Sequence, residues 1–437
     1  MEDVIKIGLC GLGTVGSGVF RLLSENADII KNRIGREIII SKVATLDRYD
    51  NLGLDFSKTT ISDSVNNILQ DPEINIVVEL IGGKTIAKKI VLESLQKGKS
   101  IVTANKALLA EYAEEIFHAA YQSKGNLGFE ASVAGGIPIV RCIKQGFSGD
   151  RIDRLIGIVN GTANYILSAM SSEGVDFKQA LLDAQKHGYA EADPTFDIEG
   201  VDAAHKVAIL MSLVFNGLFD FSQLYVEGIS AIESVDIAIA EEFGYAIKLL
   251  GSAARTEDGF EGRVCPALVN KNSMLAAVTG AFNAISIWGN FVGETLFYGA
   301  GAGSHPTASA VVSDLIETVR LMIVGMDNPV PPLNTGIDTL TRQDILPMAD
   351  TESEYYLRLT FNSGGKSVGD VLKILSDATI NLKSMVQKSV SSDQLSKKYL
   401  ILFTEKLKEA HMQSAIQELN ALSCTTEPVK MIRIERS

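Results

Sequence analysis

The constraint that governs this chain is a glycine triplet close to its N-terminus. Gly11-Leu12-Gly13-Thr14-Val15-Gly16 follows an apolar run at residues 4–9 and opens an amphipathic pattern at 15–24. A G-x-G-x-x-G spacing alone says little in a chain with 38 glycines. The strand before it and the helix after it make it informative. There Gly11 permits a tight turn, Gly13 lets a pyrophosphate approach the backbone, and Gly16 lets the helix lie against the strand. The helix start offers unpaired N–H groups and a partial positive charge to an anion. An α/β domain of Rossmann type, binding a dinucleotide, is the expectation.

The pattern around the triplet supports it. Short apolar runs at 38–45, 74–80, 100–103 and 127–130 alternate with helical stretches, as parallel sheets require. This predicts a dinucleotide-binding domain over 1–135. From 136 to 305 the texture changes to helical windows (177–187, 201–215, 236–250) among strand-like pieces (154–159, 263–268). That stretch is expected to be an α+β catalytic and dimerisation domain. Residues 306–324 read as one long helix that packs back on the first domain. Residues 327–353 hold Pro329, Pro331, Pro332 and Pro347 with little periodicity, a linker pattern. Beyond it, strand–helix–strand–strand–helix–strand over 354–437 is the order of a ferredoxin-like split βαβ unit.

Composition excludes several functions. With 53 acidic against 40 basic residues the net charge is -13, which repels phosphate backbones and disfavours nucleic acid. No run reaches the roughly 18 apolar residues of a membrane span, and no signal-peptide pattern opens the chain. Cys10, Cys142, Cys265 and Cys424 form no C-x-x-C pair, which suits a reducing, cytoplasmic setting. The five histidines show no metal-ligand spacing.

Past the second strand, Asp47 stands where the adenosine ribose is read in such folds. An acidic group there accepts from a 2′-hydroxyl and repels a 2′-phosphate; Arg48 beside it does the opposite. NAD and NADP both stay open.

Longer strings resemble one family. INIVVELIGG (74–83), VTANKALLA (102–110), FEASVAGGIP (129–138), VNGTANYIL (159–167), GYAEADPT (188–195), GVDAAHK (200–206) and YGAGAGS (298–304) occur in the order found in homoserine dehydrogenases. The likeness covers residues 1 to about 325, and the tail resembles an ACT domain, a small regulatory module. No aspartokinase-like segment precedes Met1, so the single-function arrangement is expected. The resemblance implies NAD(P)-dependent interconversion of L-homoserine and L-aspartate 4-semialdehyde, by a homodimer or homotetramer. It places Lys206 as proton donor, supported by Asp202. It places Glu191, Asp197 and Lys106 at the substrate, with Lys106 and Gly303 also at the coenzyme. It further implies a monovalent cation, sodium, on backbone carbonyls of Glu130, Val133, Gly135 and Ile137.

The residues themselves bear on these roles. Asp202 and Lys206, four apart, share one helix face. The same spacing describes a surface salt bridge worth about 0.3–0.5 kcal/mol, but the apolar run that follows, Val207 to Leu210, argues for burial. Two features depart from the family: Leu46 replaces a frequent Arg beside Asp47, and Ser363, Gly365 and Lys366 replace the Asp-x-Pro-Gly of ACT ligand loops. The tail is therefore expected to serve association more than effector sensing. A thioester-forming aldehyde dehydrogenase would need an activated cysteine, and neither Cys10 nor Cys142 has a His partner in sight. A non-catalytic nucleotide and amino-acid sensor is the other alternative. Lys106, Glu191, Asp202 and Lys206 together favour an enzyme.

Overall fold

Val, Ile and Leu fill the first strands because parallel strands are covered on both faces. In the computed structural model, which describes residues 4–326, 330–361, 367–392 and 395–435, six such strands form the first sheet. They are β1 (Val4–Cys10), β2 (Glu37–Ala44), β3 (Thr60–Ser62), β4 (Ile76–Glu79), β5 (Ser100–Thr103) and β6 (Leu127–Gly128). All pair in parallel, in the order β3-β2-β1-β4-β5-β6. The chain reverses direction of winding between β1 and β4, and the crevice at their C-terminal ends is where such sheets bind ligands. The 127–130 run ends as strand at Gly128; Glu130 already begins a 3-10 turn.

The 21-residue helix Ser304–Val324 lies on this sheet's first helix, Thr14–Glu25. A Cβ on Gly18 would stand 2.6 Å from Ser304 Oγ, so the close approach requires glycine. Val311, Leu315 and Val319 are buried with Val19 and Leu23.

The second sheet has eleven strands. Its antiparallel centre is β7 (Ile152–Ile158), β10 (Tyr245–Arg255), β11 (Phe260–Asn270), β12 (Phe282–Gly289) and β13 (Gly293–Ala300), with the short β9 (Tyr225–Val226) beside β11, while the short β8 (Leu218–Phe219) stands outside this sheet. The window 236–250, expected as one helix, is not one. The helix Ser234–Glu242 stops, Gly244 takes a left-handed φ of 81°, and β10 begins at Tyr245. An apolar run such as Ala246 to Leu250 fits either state by periodicity; eleven paired residues on β11 decide it. The β12–β13 hairpin has no counterpart among the elements expected from sequence.

Residues 330–350 run along the body as a strap. Leu333, Leu340 and Ile345 are buried, β14 (Arg342–Gln343) pairs with β8, and Tyr121 Oη donates to Thr335 O at 2.5 Å. After it come β15 (Glu352–Phe361), β16 (Leu382–Ser392), β17 (Leu395–Thr404), β18 (Leu407–Lys408) and β19 (Lys430–Glu435), with helices Ser367–Asp377 and Glu409–Asn420. The order β19-β15-β17-β16 continues the central sheet, because β19 pairs in parallel with β11. One face of these strands is covered by the two helices. On the other, Tyr356, Ile401 and Phe403 join the central core. Arg358 there donates to the fully buried Asp236 at 2.7 and 3.1 Å. Ser363, Gly365 and Lys366 lie outside the described residues. No helix of the described residues is long and apolar enough to cross a membrane.

Candidate functional site

The phosphate loop comes first in the chain. Gly11 has φ 95°, and a Cβ there would meet Leu80 O at 2.6 Å. A Cβ on Gly16 would meet Gly11 O at 2.2 Å, whereas one on Gly13 would have only Asp47 Oδ2 near, at 3.8 Å. Two glycines are thus fixed by the protein's own backbone, while the space over Gly13 is left to a ligand. The helix beginning at Thr14 has no side-chain cap, so its first N–H groups face that space, with Leu12 buried beneath and Val15 half-buried. Asp47 stands over the loop, its N–H donated to Thr45 Oγ1 at 3.0 Å, and Leu46 beside it is 88% exposed. Gly303, with φ 117°, is the residue before the long helix. Ser304 Oγ donates to Thr14 O at 2.7 Å and so brings Gly303 to the phosphate loop.

The C-terminal ends of β4 and β5 form the floor. Thr103 Oγ1 donates to the buried Glu79 at 2.6 Å. Asn105 caps the helix Lys106–Glu111, its Oδ1 accepting from Leu108 N at 3.1 Å. That cap fixes Lys106 at a helix start, pointing out of the sheet. Its ammonium lies 3.1 Å from Asp202 Oδ1.

Asp202 and Lys206 sit one turn apart on the helix Val201–Val214, and both are buried. Lys206 Nζ donates to Asp202 Oδ2 and to Val159 O, both at 2.7 Å. Two of its three N–H groups are thus engaged within the described residues. Asn160, just past the end of β7, donates to Asp197 Oδ1 at 2.7 Å and to Asp202 Oδ2 at 2.8 Å. Two lysines and two aspartates therefore meet in one cluster, bringing together four of the site residues expected from sequence. Glu191 is not among them: it is exposed, and among the described residues no hydrogen bond or ion pair joins its side chain to the cluster. Its loop is held nearby, since Thr162 Oγ1 donates to Tyr189 O at 2.6 Å.

Burial drives the electrostatics. It pushes the Lys206 ammonium below its ordinary range; Asp202 opposes this, and Lys106 adds to the fall by like-charge repulsion. Burial also works against Asp202, but Lys206 and Lys106 outweigh it and hold its carboxyl well below the usual range. Asp197 has no lysine so close, and burial with Asp202 nearby raises it.

The loop of Glu130, Val133, Gly135 and Ile137 is buried and turns through positive φ at Ala134 (53°) and Gly135 (42°). The Glu130 carboxylate accepts from Val140 N and Arg141 N, each at 2.8 Å. Burial, with Asp314 beside it, raises Glu130 to about 7. Glu130 N donates to Asp314 Oδ2 at 2.9 Å, and burial lifts Asp314 to about 6. Among the described residues no hydrogen bond reaches the carbonyl oxygens of Val133 or Gly135, while those of Glu130 and Ile137 accept from Val133 N and Ile139 N. No group of three or more His, Cys, Asp or Glu side chains fit for a metal occurs among the described residues.

Sequence alone did not single out Asn160, Val159, Glu79 or Asp314. For Asn160 a signal existed: an Asn between a strand end and Gly161-Thr162-Ala163 is a helix cap pattern. The others act through a backbone carbonyl or long-range burial, which leave no local mark.

Comparison with known proteins places this geometry. A family model described as homoserine dehydrogenase, NAD binding domain, matches residues 11–130, and one described as homoserine dehydrogenase matches 138–316. The homoserine dehydrogenase of Pseudomonas aeruginosa is 45% identical, covering 99% of each chain. That of Helicobacter pylori is 42% identical, covering 100% of each. The crystal structure of a homoserine dehydrogenase from Thiobacillus denitrificans superposes with TM-score 0.92 at 44% identity, covering 99% of this chain and 98% of that one. A nucleotide-binding sheet and a buried lysine–aspartate helix, joined by Lys106, thus have full-length relatives of one kind, and the chain belongs to the homoserine dehydrogenase family.

Proposed function

We propose that the chain interconverts L-homoserine and L-aspartate 4-semialdehyde. The observation that carries this reading is the Lys106–Asp202 contact. It brings the ligand crevice of the first sheet against a buried lysine whose third N–H is uncommitted. The phosphate loop fits a nicotinamide dinucleotide, because the space over Gly13 is open and the helix start is uncapped. When bound, NAD or NADP supplies or accepts the hydride. Lys206 then gives the aldehyde oxygen its proton in reduction and takes it back in oxidation. Its depressed pKa suits both directions. Asp202 holds that ammonium and Lys106 in place. Asp197 and Glu191 are assigned to the substrate's ammonium group, and Lys106 lies between substrate and coenzyme. The test is oxidation of NAD(P)H that depends on aspartate semialdehyde; its absence in the intact chain would remove the reading.

Asp47 over the loop and the missing guanidinium at Leu46 favour good use of NADH. The expected kcat/KM ratio of NADPH to NADH stays below roughly a hundredfold, about 2.7 kcal/mol. A larger ratio would mean that another cation, Arg48 first, reads the phosphate.

A monovalent cation, sodium, is assigned to the carbonyls of Glu130, Val133, Gly135 and Ile137. The uncommitted oxygens of Val133 and Gly135 fit a hard ion, which would hold the loop beneath the Gly299–Ser304 turn. The tail is assigned to the ACT type, in a homodimer or homotetramer. Light scattering at varied concentration tests the assembly.

A further inference from the structure

We propose that Asn160 is the positioning residue of this site, holding Asp197 and Asp202 together as two separate anions. The amide is 4% exposed, and its orientation follows from its neighbours. Oδ1 accepts from Ala163 N at 2.7 Å, capping the helix Gly161–Glu173. The NH₂ group must then face the other way, where it finds one oxygen of each aspartate. An amide carries two N–H donors, so each carboxylate receives one and neither lacks a partner. Val159, the preceding residue, gives its carbonyl to Lys206. The two residues that join β7 to the helix Gly161–Glu173 thereby aim the proton carrier and the acid pair together.

The physical need is plain. Two neighbouring carboxylates disfavour each other's ionisation, and one of them takes up a proton unless donors or cations compensate. Asp202 has Lys206 and Lys106. Asp197 faces Asp202 and Lys206 from the Val201–Val214 helix, Lys106 beyond Asp202, and Thr162 on the helix Gly161–Glu173, but makes no ion pair among the described residues. A neutral donor answers this without adding a third cation, which would depress Lys206 further. It leaves Asp197 charged for the substrate's ammonium group.

This inference rests on the activity proposed above, and its test is separable from it, because a wild-type chain without activity condemns the reading and not Asn160. The variants are Asn160→Asp and Asn160→Ser, both of which keep a good helix cap while removing the double donor. The measurement is the pH profile of kcat/KM for semialdehyde reduction, with coenzyme KM alongside. Both variants should raise substrate KM roughly tenfold and move the acid limb up by about one pH unit, with coenzyme KM within twofold. Asn160→Asp, which adds a third carboxylate, should also move the basic limb of Lys206 upward; Asn160→Ser should not. A purely structural Asn160 would lower thermal stability and leave both limbs in place. That result in Asn160→Ser, whatever the folding of Asn160→Asp, overturns the proposal.

Discussion

Two of the buried charge networks in this molecule are built from different cations. At the candidate site Asp202 is met by two lysines. Where the tail docks, Asp236 is met by Arg358 in a fork and by Tyr356 Oη at 3.2 Å. Arg433 repeats the fork on Glu409, at 3.0 and 2.6 Å, and reaches Glu227 at 2.7 Å. Burial lowers both kinds of cation, but the outcomes differ. Lys206 ends below its ordinary value, whereas hydrogen bonds and carboxylates carry Arg358 and Arg433 above theirs. A guanidinium keeps its proton and fits a carboxylate with two parallel bonds; an ammonium is a point charge whose proton can be drawn off. The first network suits chemistry and the second suits fastening.

Lys206→Ala is the most severe way to test that contrast. It should cost on the order of 10²–10⁴ in kcat, with coenzyme binding intact by fluorescence titration. Near wild-type turnover would make the lysine network another fastening. Next in size, Asp236→Ala leaves Arg358 in the docking face with the exposed Glu233, 3.1 Å away, in place of its buried partner. A loss of about 3–5 kcal/mol is expected for a broken buried pair, read from denaturant unfolding, with kcat of the surviving fold almost unchanged. Replacing Asp236 and Arg358 together by apolar residues should recover most of it. If kcat falls as steeply as stability, the docking network serves the chemistry too.

The glycines make a finer test. Gly16→Ala forces a backbone shift and should cost about 1–3 kcal/mol in stability as an overpacked contact does. Gly13→Ala has room in the protein and should fold normally, yet raise coenzyme Kd roughly tenfold, near 1.4 kcal/mol. Equal behaviour of the two would mean that the space over Gly13 is not where the phosphates lie.

The smallest expected effect concerns pH. In reduction Lys206 must carry its proton, so on the alkaline side kcat/KM falls as pH rises through its pKa. Lys106 lowers that pKa by repulsion. Lys106→Met should therefore move the basic limb to higher pH, by up to about one unit. A limb that stays or moves down would show that Lys106 acts on Asp202 alone.

Much of the site could be read from residue order, because its parts are local. The glycine triplet lies between its strand and helix, and Asp202 and Lys206 are one turn apart. Each is specified by one short stretch, residues 4–24 for the first and 202–206 for the second. The path from Ala246 to Leu250 could not be read, since strand or helix there depends on β11 as neighbour. Nor could the place of the tail. Its strand–helix order was plain, but the pairing of β19 with β11, sealed by Arg154 and Arg263 on Glu435 at 2.6 and 3.2 Å, joins segments more than 160 residues apart.

The sequence by itself determined the phosphate loop, the lysine–aspartate helix turn and most strands of the first sheet, because turn glycines, helix periods and paired charges act over a few residues. Only the tertiary structure decided that Lys106 meets Asp202, that Asn160 stands between two aspartates, and that the tail extends the central sheet. Those contacts exist only once distant segments are packed, and burial then gives each charge its pKa.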